Sequence, residues 1–263
     1  MRFTQPNTTS SGHPVMDRWK YYDIIHQRHF VMNPVDETKL ERFYDLLELK
    51  PNARVIDVGC GKGEMLIRLA EKYDIQGLGI DKSPYCIREA ENRKGQRIPH
   101  AKLKFLEMDG AEYKPETGEY SDLAMCIGAT WIYGGYRKNV KTLGGMTRSS
   151  GFVMVGEPFW RRNPPQEYLQ SEGIQANSFN THHGNAIMGE SEGLRLVSTL
   201  ASSKEDWNRS EGLHWSAAAE YALAHPEDTD LEELLARDSK ERESYLKWGR
   251  EVLGWAIYLF RKM

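Results

Sequence analysis

The sequence predicts an α/β protein built on a doubly wound sheet of seven mostly parallel strands. It adds a helical lid before the sheet and a helical cap inserted ahead of the last strand. Two observations carry this prediction. From Ala53 onward, short apolar runs alternate with amphipathic stretches long enough to be crossover helices. The fourth such run, "LAMCIGA", is apolar almost throughout, as a central strand buried on both faces must be. Strands separated by helices join by right-handed crossovers, which makes them parallel neighbours.

The elements follow in order. "ARVIDVG" reads as the first strand. "EMLIRLAEKY" follows as a helix, with Met65, Leu66, Leu69, Ala70 and Tyr73 on one face. "IQGLGID" is the second strand. Ser83 and Pro84 are an N-cap and first-turn proline for a helix through "YCIREAENR". "KLKFLEMD" is a third strand, "YSDLAMCIGA" a fourth, "GGYRKNVKTLGGM" a weaker helix and "GFVMVGEP" a fifth strand. Residues 161–185 are polar and read as loop with short helix; "LRLVSTLASS" is a sixth strand and "GWAIYLF" the last. The expected divisions are 1–50 for the tail and lid helices, 51–204 for the α/β core, 205–250 for the helical cap and 251–263 for the closing strand.

Composition narrows the function. A formal net charge of −3 argues against a binder of nucleic acid, which favours a basic face. No window approaches the roughly 20 apolar residues of a membrane span. The opening "MRFTQPNTTSSGHP" lacks the apolar core of a signal peptide and reads as a polar tail. Cys60, Cys86 and Cys126 are far apart and form no CxxC pair, so neither a disulfide framework nor a zinc site is expected. The expected location is the cytoplasm.

The stretch "VIDVGCGKGEML" carries the chemistry. A loop between a parallel strand and its helix sits at the carboxyl edge of the sheet, where ligands bind. Glycines let a ligand approach backbone there, beside the free N–H groups of a helix start. A dinucleotide fingerprint is GxGxxG; in that register Glu64 replaces the third glycine. The actual pattern is DxGxGxG, formed by Asp57, Gly59, Gly61 and Gly63. An acid ahead of the glycines repels a pyrophosphate and suits a ligand with an amino group and a positive charge. This favours S-adenosyl-L-methionine over a nicotinamide dinucleotide.

With "VIDVGCGKG", "GLGIDKS", "LEMDGAE" and "SDLAMCIGATW" in that order, the chain resembles the class I S-adenosylmethionine-dependent methyltransferases over roughly residues 53 to 157. The "GATW…GG" and "GEPFW" signatures are similar to those of a branch acting on small molecules. The resemblance implies S-adenosyl-L-homocysteine as product and a small-molecule methyl acceptor. It implies that Asp57, Gly59, Cys60, Gly61 and Gly63 hold the methionine half, and that Asp81, with Lys82, takes the ribose hydroxyls. It further implies that Met108, Asp109 and Gly110 bound the adenine and that Gly128 faces the methionine amino group. "IGATWIYGG" lacks the Asn/Asp-Pro-Pro-aromatic pattern of amino-methylating relatives.

The flanks supply further candidates. Glu157, at the end of the fifth strand, is expected on the substrate side, and Glu157, His26 and His214 are the candidate general bases. Tyr21, sharing a helical face with Ile25 and either Arg28 or His29, is expected to touch the cofactor. Trp131 comes next on the same edge, and the acceptor is expected between the ends of strands four and five, the lid and the cap. Arg161 and Arg162 could meet an acidic substrate, but a solvated pair fits better. His182 and His183 have no evident third ligand and read as loop histidines. Two alternatives stay open: a non-catalytic S-adenosylmethionine-binding protein, and a nicotinamide-dependent oxidoreductase.

Overall fold

The computed structural model describes residues 16–263; the polar tail lies outside them. Two short helices, α1 (Arg18–Ile25) and α2 (Glu37–Tyr44), precede the sheet. Then follow β1 (Arg54–Val58), α3 (Glu64–Tyr73), β2 (Gln76–Asp81), α4 (Pro84–Arg97), β3 (Lys102–Glu107), β4 (Ser121–Ile127), α5 (Tyr136–Met146) and β5 (Thr147–Trp160). The second half holds α6 (Gln166–Glu172), α7 (His182–Ser191), β6 (Leu194–Ala201), α8 (Lys204–Ala224), α9 (Leu231–Ser244) and β7 (Leu253–Lys262). The expected punctuation is present at α4, where the Ser83 hydroxyl accepts the Cys86 N–H and Pro84 opens the first turn.

The sheet order is β3-β2-β1-β4-β5-β7-β6. β7 runs antiparallel to both neighbours, with Phe152 opposite Arg261 and Trp160 opposite Leu253. The remaining pairs are parallel. β1 therefore lies at the switch point, with β2 on one side and β4 on the other, and the loops after β1 and β4 part to leave a crevice.

Strand alternation divides the core in two. Val55, Leu123, Met125 and Met154 face α3 and α4, joined by Trp207 and Tyr245 from the segment between β6 and β7. Ile56, Val58, Ala124, Cys126, Val153 and Val155 face Tyr136, Val140 and Leu143 of α5. The 161–185 stretch holds α6 and a 3-10 turn, and its end is already helical. There the Thr181 hydroxyl caps α7 by accepting the Gly184 N–H, so His182 and His183 open a helix.

Candidate active site

The site begins where β1 stops. The N–H groups of Gly59 and Cys60 both donate to the Ile80 carbonyl, at 2.7 and 3.0 Å, folding the loop over the end of β2. Gly59 has φ +76°, and a Cβ there would lie 2.6 Å from that of Ala129. Gly61 has φ +53°, with the Met32 sulfur 3.0 Å from where its Cβ would be. Gly59 has no room for a side chain, and one at Gly61 would be strained and would displace Met32.

Two carboxylates face this bare loop. Asp57 is 2% exposed. Burial, and then the charge of Asp81, pushes its carboxyl up to about 8. Its Oδ1 has no partner among the described residues. A buried acid with an orphaned oxygen fits the ammonium of an amino-acid moiety, whose charge would offset the cost of ionising it. Asp81 accepts the Gly61 N–H on Oδ2 and the Ser83 N–H on Oδ1, each at 2.9 Å. Burial still raises its carboxyl. Each oxygen keeps a second lone pair, which suits a vicinal diol. At the rim, Asp109 bonds Lys82 Nζ at 2.8 Å, which holds its carboxyl below the usual range. A Cβ on Gly110 would lie 2.5 Å from Val58 Cγ1.

Glu64 stands where a dinucleotide site would need its third glycine. It is buried and bonded by Arg68 at 2.7 Å, Arg93 at 3.1 Å and Arg97 at 2.8 Å. Burial raises its carboxyl, and the bonds from Arg97 and Arg68 more than reverse this. It is a fixed negative charge on the cavity wall.

The roof is α1 and the turn after it. Arg18, Trp19, Tyr22 and His26 line the cavity from above. Arg18 lies over the rings of Trp19, Tyr22 and Trp131, at 5.0, 5.6 and 5.4 Å, so it bridges the roof to the loop after β4. The Lys62 ammonium donates to the His26 carbonyl at 2.9 Å, and Arg93 to those of Phe30 and His29 at 2.9 and 3.1 Å. Asn33 reaches the Ile127 carbonyl. The roof is thus held by the helices that flank the glycine loop.

Asp57, Gly59, Cys60, Gly61, Asp81, Lys82, Asp109, Gly110, Gly128 and His26 all line one cavity. Other expected positions lie elsewhere. Tyr21 is fully buried on the opposite side of α1, where its hydroxyl donates to Glu241 at 2.9 Å and Arg237 covers its ring at 3.7 Å. Tyr22 takes the cavity position, because residues 18, 22 and 26 form one helical stripe and residues 21, 24 and 25 the other. Met108 packs with the α5-side core. Gly63, with φ +71°, caps α3 behind the lining. Glu157 does not face the cavity. Strand parity sends it with Val153 and Val155 toward α5, where it is 6% exposed and accepts the Thr130 hydroxyl at 2.6 Å. Burial pushes its carboxyl up to about 8, against that one bond. The segment between β6 and β7 also contributes nothing to the lining. Instead it buttresses α1 through Lys20 with Asp228 and Asp230, and the turn after α1 through Arg28 with Glu220.

His214 does not line the cavity, but it sits directly behind His26: its Nε2 is 3.2 Å from His26 Nδ1, and its Nδ1 is 3.5 Å from Glu211 Oε2. His29 completes a buried triad, with ring centroids 4.5 to 4.9 Å apart. Sequence reasoning marked two of the three; His29 was noted only for its helical face.

Comparison with known proteins agrees with this geometry. A family model described as a methyltransferase domain matches residues 55–149. The uncharacterized protein YjhP of Escherichia coli (strain K12) is 31% identical over 245 residues, covering 92% of this chain and 98% of that one. A solved SAM-dependent methyltransferase from Thiobacillus denitrificans, in complex with S-adenosyl-L-homocysteine, is 30% identical with a TM-score of 0.86. That match covers 95% of this chain and 100% of the other. The corresponding protein from Geobacter sulfurreducens, also with S-adenosyl-L-homocysteine, is 28% identical with a TM-score of 0.87, covering 93% and 98%. The chain belongs to the class I S-adenosylmethionine-dependent methyltransferases. Its cofactor is S-adenosyl-L-methionine.

Proposed function

We propose that this methyltransferase acts on a small-molecule acceptor admitted beneath α1. The observation that carries the reading is the roof: Arg18, Trp19, Tyr22 and His26 cover the same cavity whose floor is the glycine loop. An acceptor reaching the methyl group must fit under that cover, which favours a compact molecule over an extended polymer. The net charge of −3 gives no general attraction for a polyanion. Asp57 holds the amino group of the donor, Asp81 its ribose hydroxyls, and Asp109 with Gly110 the adenine edge. The backbone of Gly59, Cys60, Gly61 and Gly128 lies against the methionine half.

The donor supplies a sulfonium methyl carbon that is open to in-line attack. The acceptor forms the new bond to that carbon as the carbon–sulfur bond breaks, leaving S-adenosyl-L-homocysteine. The chain's own work is placement and exclusion of water. Incubation of a cell extract with methyl-labelled donor, followed by separation by size, tests the reading. Label is expected in the small-molecule fraction; label confined to protein, nucleic acid or lipid would overturn it.

A further inference from the structure

His26, on the cavity wall, forms one buried cluster with His29 and His214. Each of the three imidazoles offers one ring nitrogen, and these nitrogens all lie within 4.8 Å of one another. The three residues are 6%, 3% and 2% exposed, respectively. From this geometry we infer a binding site for one first-row divalent transition metal of the zinc type, held by His26, His29 and His214.

Three features argue for a metal rather than a packed aromatic cluster. First, His26 Nδ1 and His214 Nε2, hydrogen-bonded to each other at 3.2 Å, already stand at the spacing of two ligands about 2.0–2.1 Å from a shared tetrahedral ion. Second, the outer nitrogens of two rings are already engaged. His29 Nε2 lies 3.0 Å from the Ser210 carbonyl, and His214 Nδ1 lies 3.5 Å from Glu211 Oε2. A ligating histidine commonly holds its other N–H on a carbonyl or carboxylate in this way, which fixes the ring orientation. Glu211 is itself braced by the Trp207 indole N–H at 3.2 Å. Third, His29 Nδ1 is buried and has no partner among the described residues. A bound cation would satisfy it.

The local fold supports the arrangement. His26 ends α1, and a tight turn, closed by the His29 N–H on the His26 carbonyl at 2.9 Å, brings His29 to the same side. Ser210, Glu211 and His214 follow one another along a single turn of α8. Among the described residues, Lys62 and Glu211 bear on His29 with opposite signs. Among the described residues there are three such ligands, and a three-ligand set is the pattern of zinc centres that take a water or substrate atom. His26 is the ligand that also lines the cavity.

The test uses Co²⁺ and Zn²⁺ with the full-length protein and no methyl donor, so its outcome is separate from that of the methyl-transfer reading. Expected are uptake of one Co²⁺ with the visible bands of a low-coordinate site, displacement by Zn²⁺, and affinity in the micromolar range or tighter. His29→Ala and His214→Ala should each lower that affinity at least tenfold while S-adenosyl-L-homocysteine still binds. His182→Ala with His183→Ala should leave it unchanged. In the unaltered protein, Zn²⁺ should also shift the side-chain nitrogen resonances of all three histidines, a readout that survives any variant that fails to fold. No metal uptake, unshifted resonances, or uptake undiminished in both variants would overturn the inference.

Discussion

In the proposed reading, Asp57 is the residue on which donor recognition turns. Its carboxyl sits at about 8 because it is buried and faces Asp81. Below that pH it carries a proton in the empty protein, and an incoming ammonium favours the ionised form. Donor product binding at pH 6.5 should therefore release a proton, and affinity should rise as pH climbs toward 8. Calorimetry in buffers of different ionisation enthalpy measures both. Asp57→Asn should weaken binding by roughly ten- to a hundredfold, since bonds to charged groups contribute about 1.5–3 kcal/mol, and should flatten the pH dependence. Equal affinity and equal proton release in the variant would contradict this role. Glu157 has a different consequence. Its carboxyl rises from 4.5 to about 8 on folding, so between those values the folded chain holds a proton that the unfolded chain lacks. Stability contributed by this residue accordingly falls as pH rises through that window and is fully lost above it. Glu157→Gln keeps an acceptor for the Thr130 hydroxyl and removes the charge. It should melt above the parent at pH 8.5, converge with it near pH 5, and bind S-adenosyl-L-homocysteine normally. Superimposable melting curves across that range would show that the buried carboxyl carries no such penalty.

At the scale of elements, α1 is a helix with two buried faces. One face packs on α9 through Tyr21, Ile24 and Ile25, and the other roofs the cavity through Arg18, Tyr22 and His26. This explains why the sequence pointed to Tyr21. Periodicity separates the two stripes, but with both covered there is no solvated side to mark which one meets the ligand. β5 shows the same ambiguity. Its alternation puts Glu157 on the side of Val155, and nothing local says that this side belongs to α5. By contrast, the strands and the glycine loop were legible because their signals are local: β-branched runs, an N-cap with proline, and glycines at φ values that other residues resist. The roof's hold on the loop after β4 runs through Arg18 and Trp131. An exposed cation–π contact contributes about 0.5–1 kcal/mol. Trp131→Ala should then speed release of S-adenosyl-L-homocysteine about two- to fivefold in stopped-flow measurements. An unchanged release rate would mean that the roof does not depend on this contact.

Across the whole molecule, the helices between β6 and β7 act at one remove. The sequence suggested that they line the acceptor pocket. They brace α1 instead, through Asp228 and Asp230 on Lys20 and through Glu241 on Tyr21. Such pairings join residues more than two hundred positions apart, and no spacing rule reveals them. The same holds for His214, brought to His26 and His29 only when α8 packs on α1. The fold thus joins a locally encoded glycine-loop floor to a roof, α1, that the far end of the described chain braces. A crystal structure of the full chain grown with S-adenosyl-L-homocysteine tests this account most directly. It should place the amino group at Asp57 and the ribose at Asp81. The sulfur should lie under α1, facing the space bounded by Tyr22, His26 and Trp131. S-adenosyl-L-homocysteine bound away from Asp57 and Asp81, or with α1 lifted off so that the sulfur opens to solvent, would contradict it.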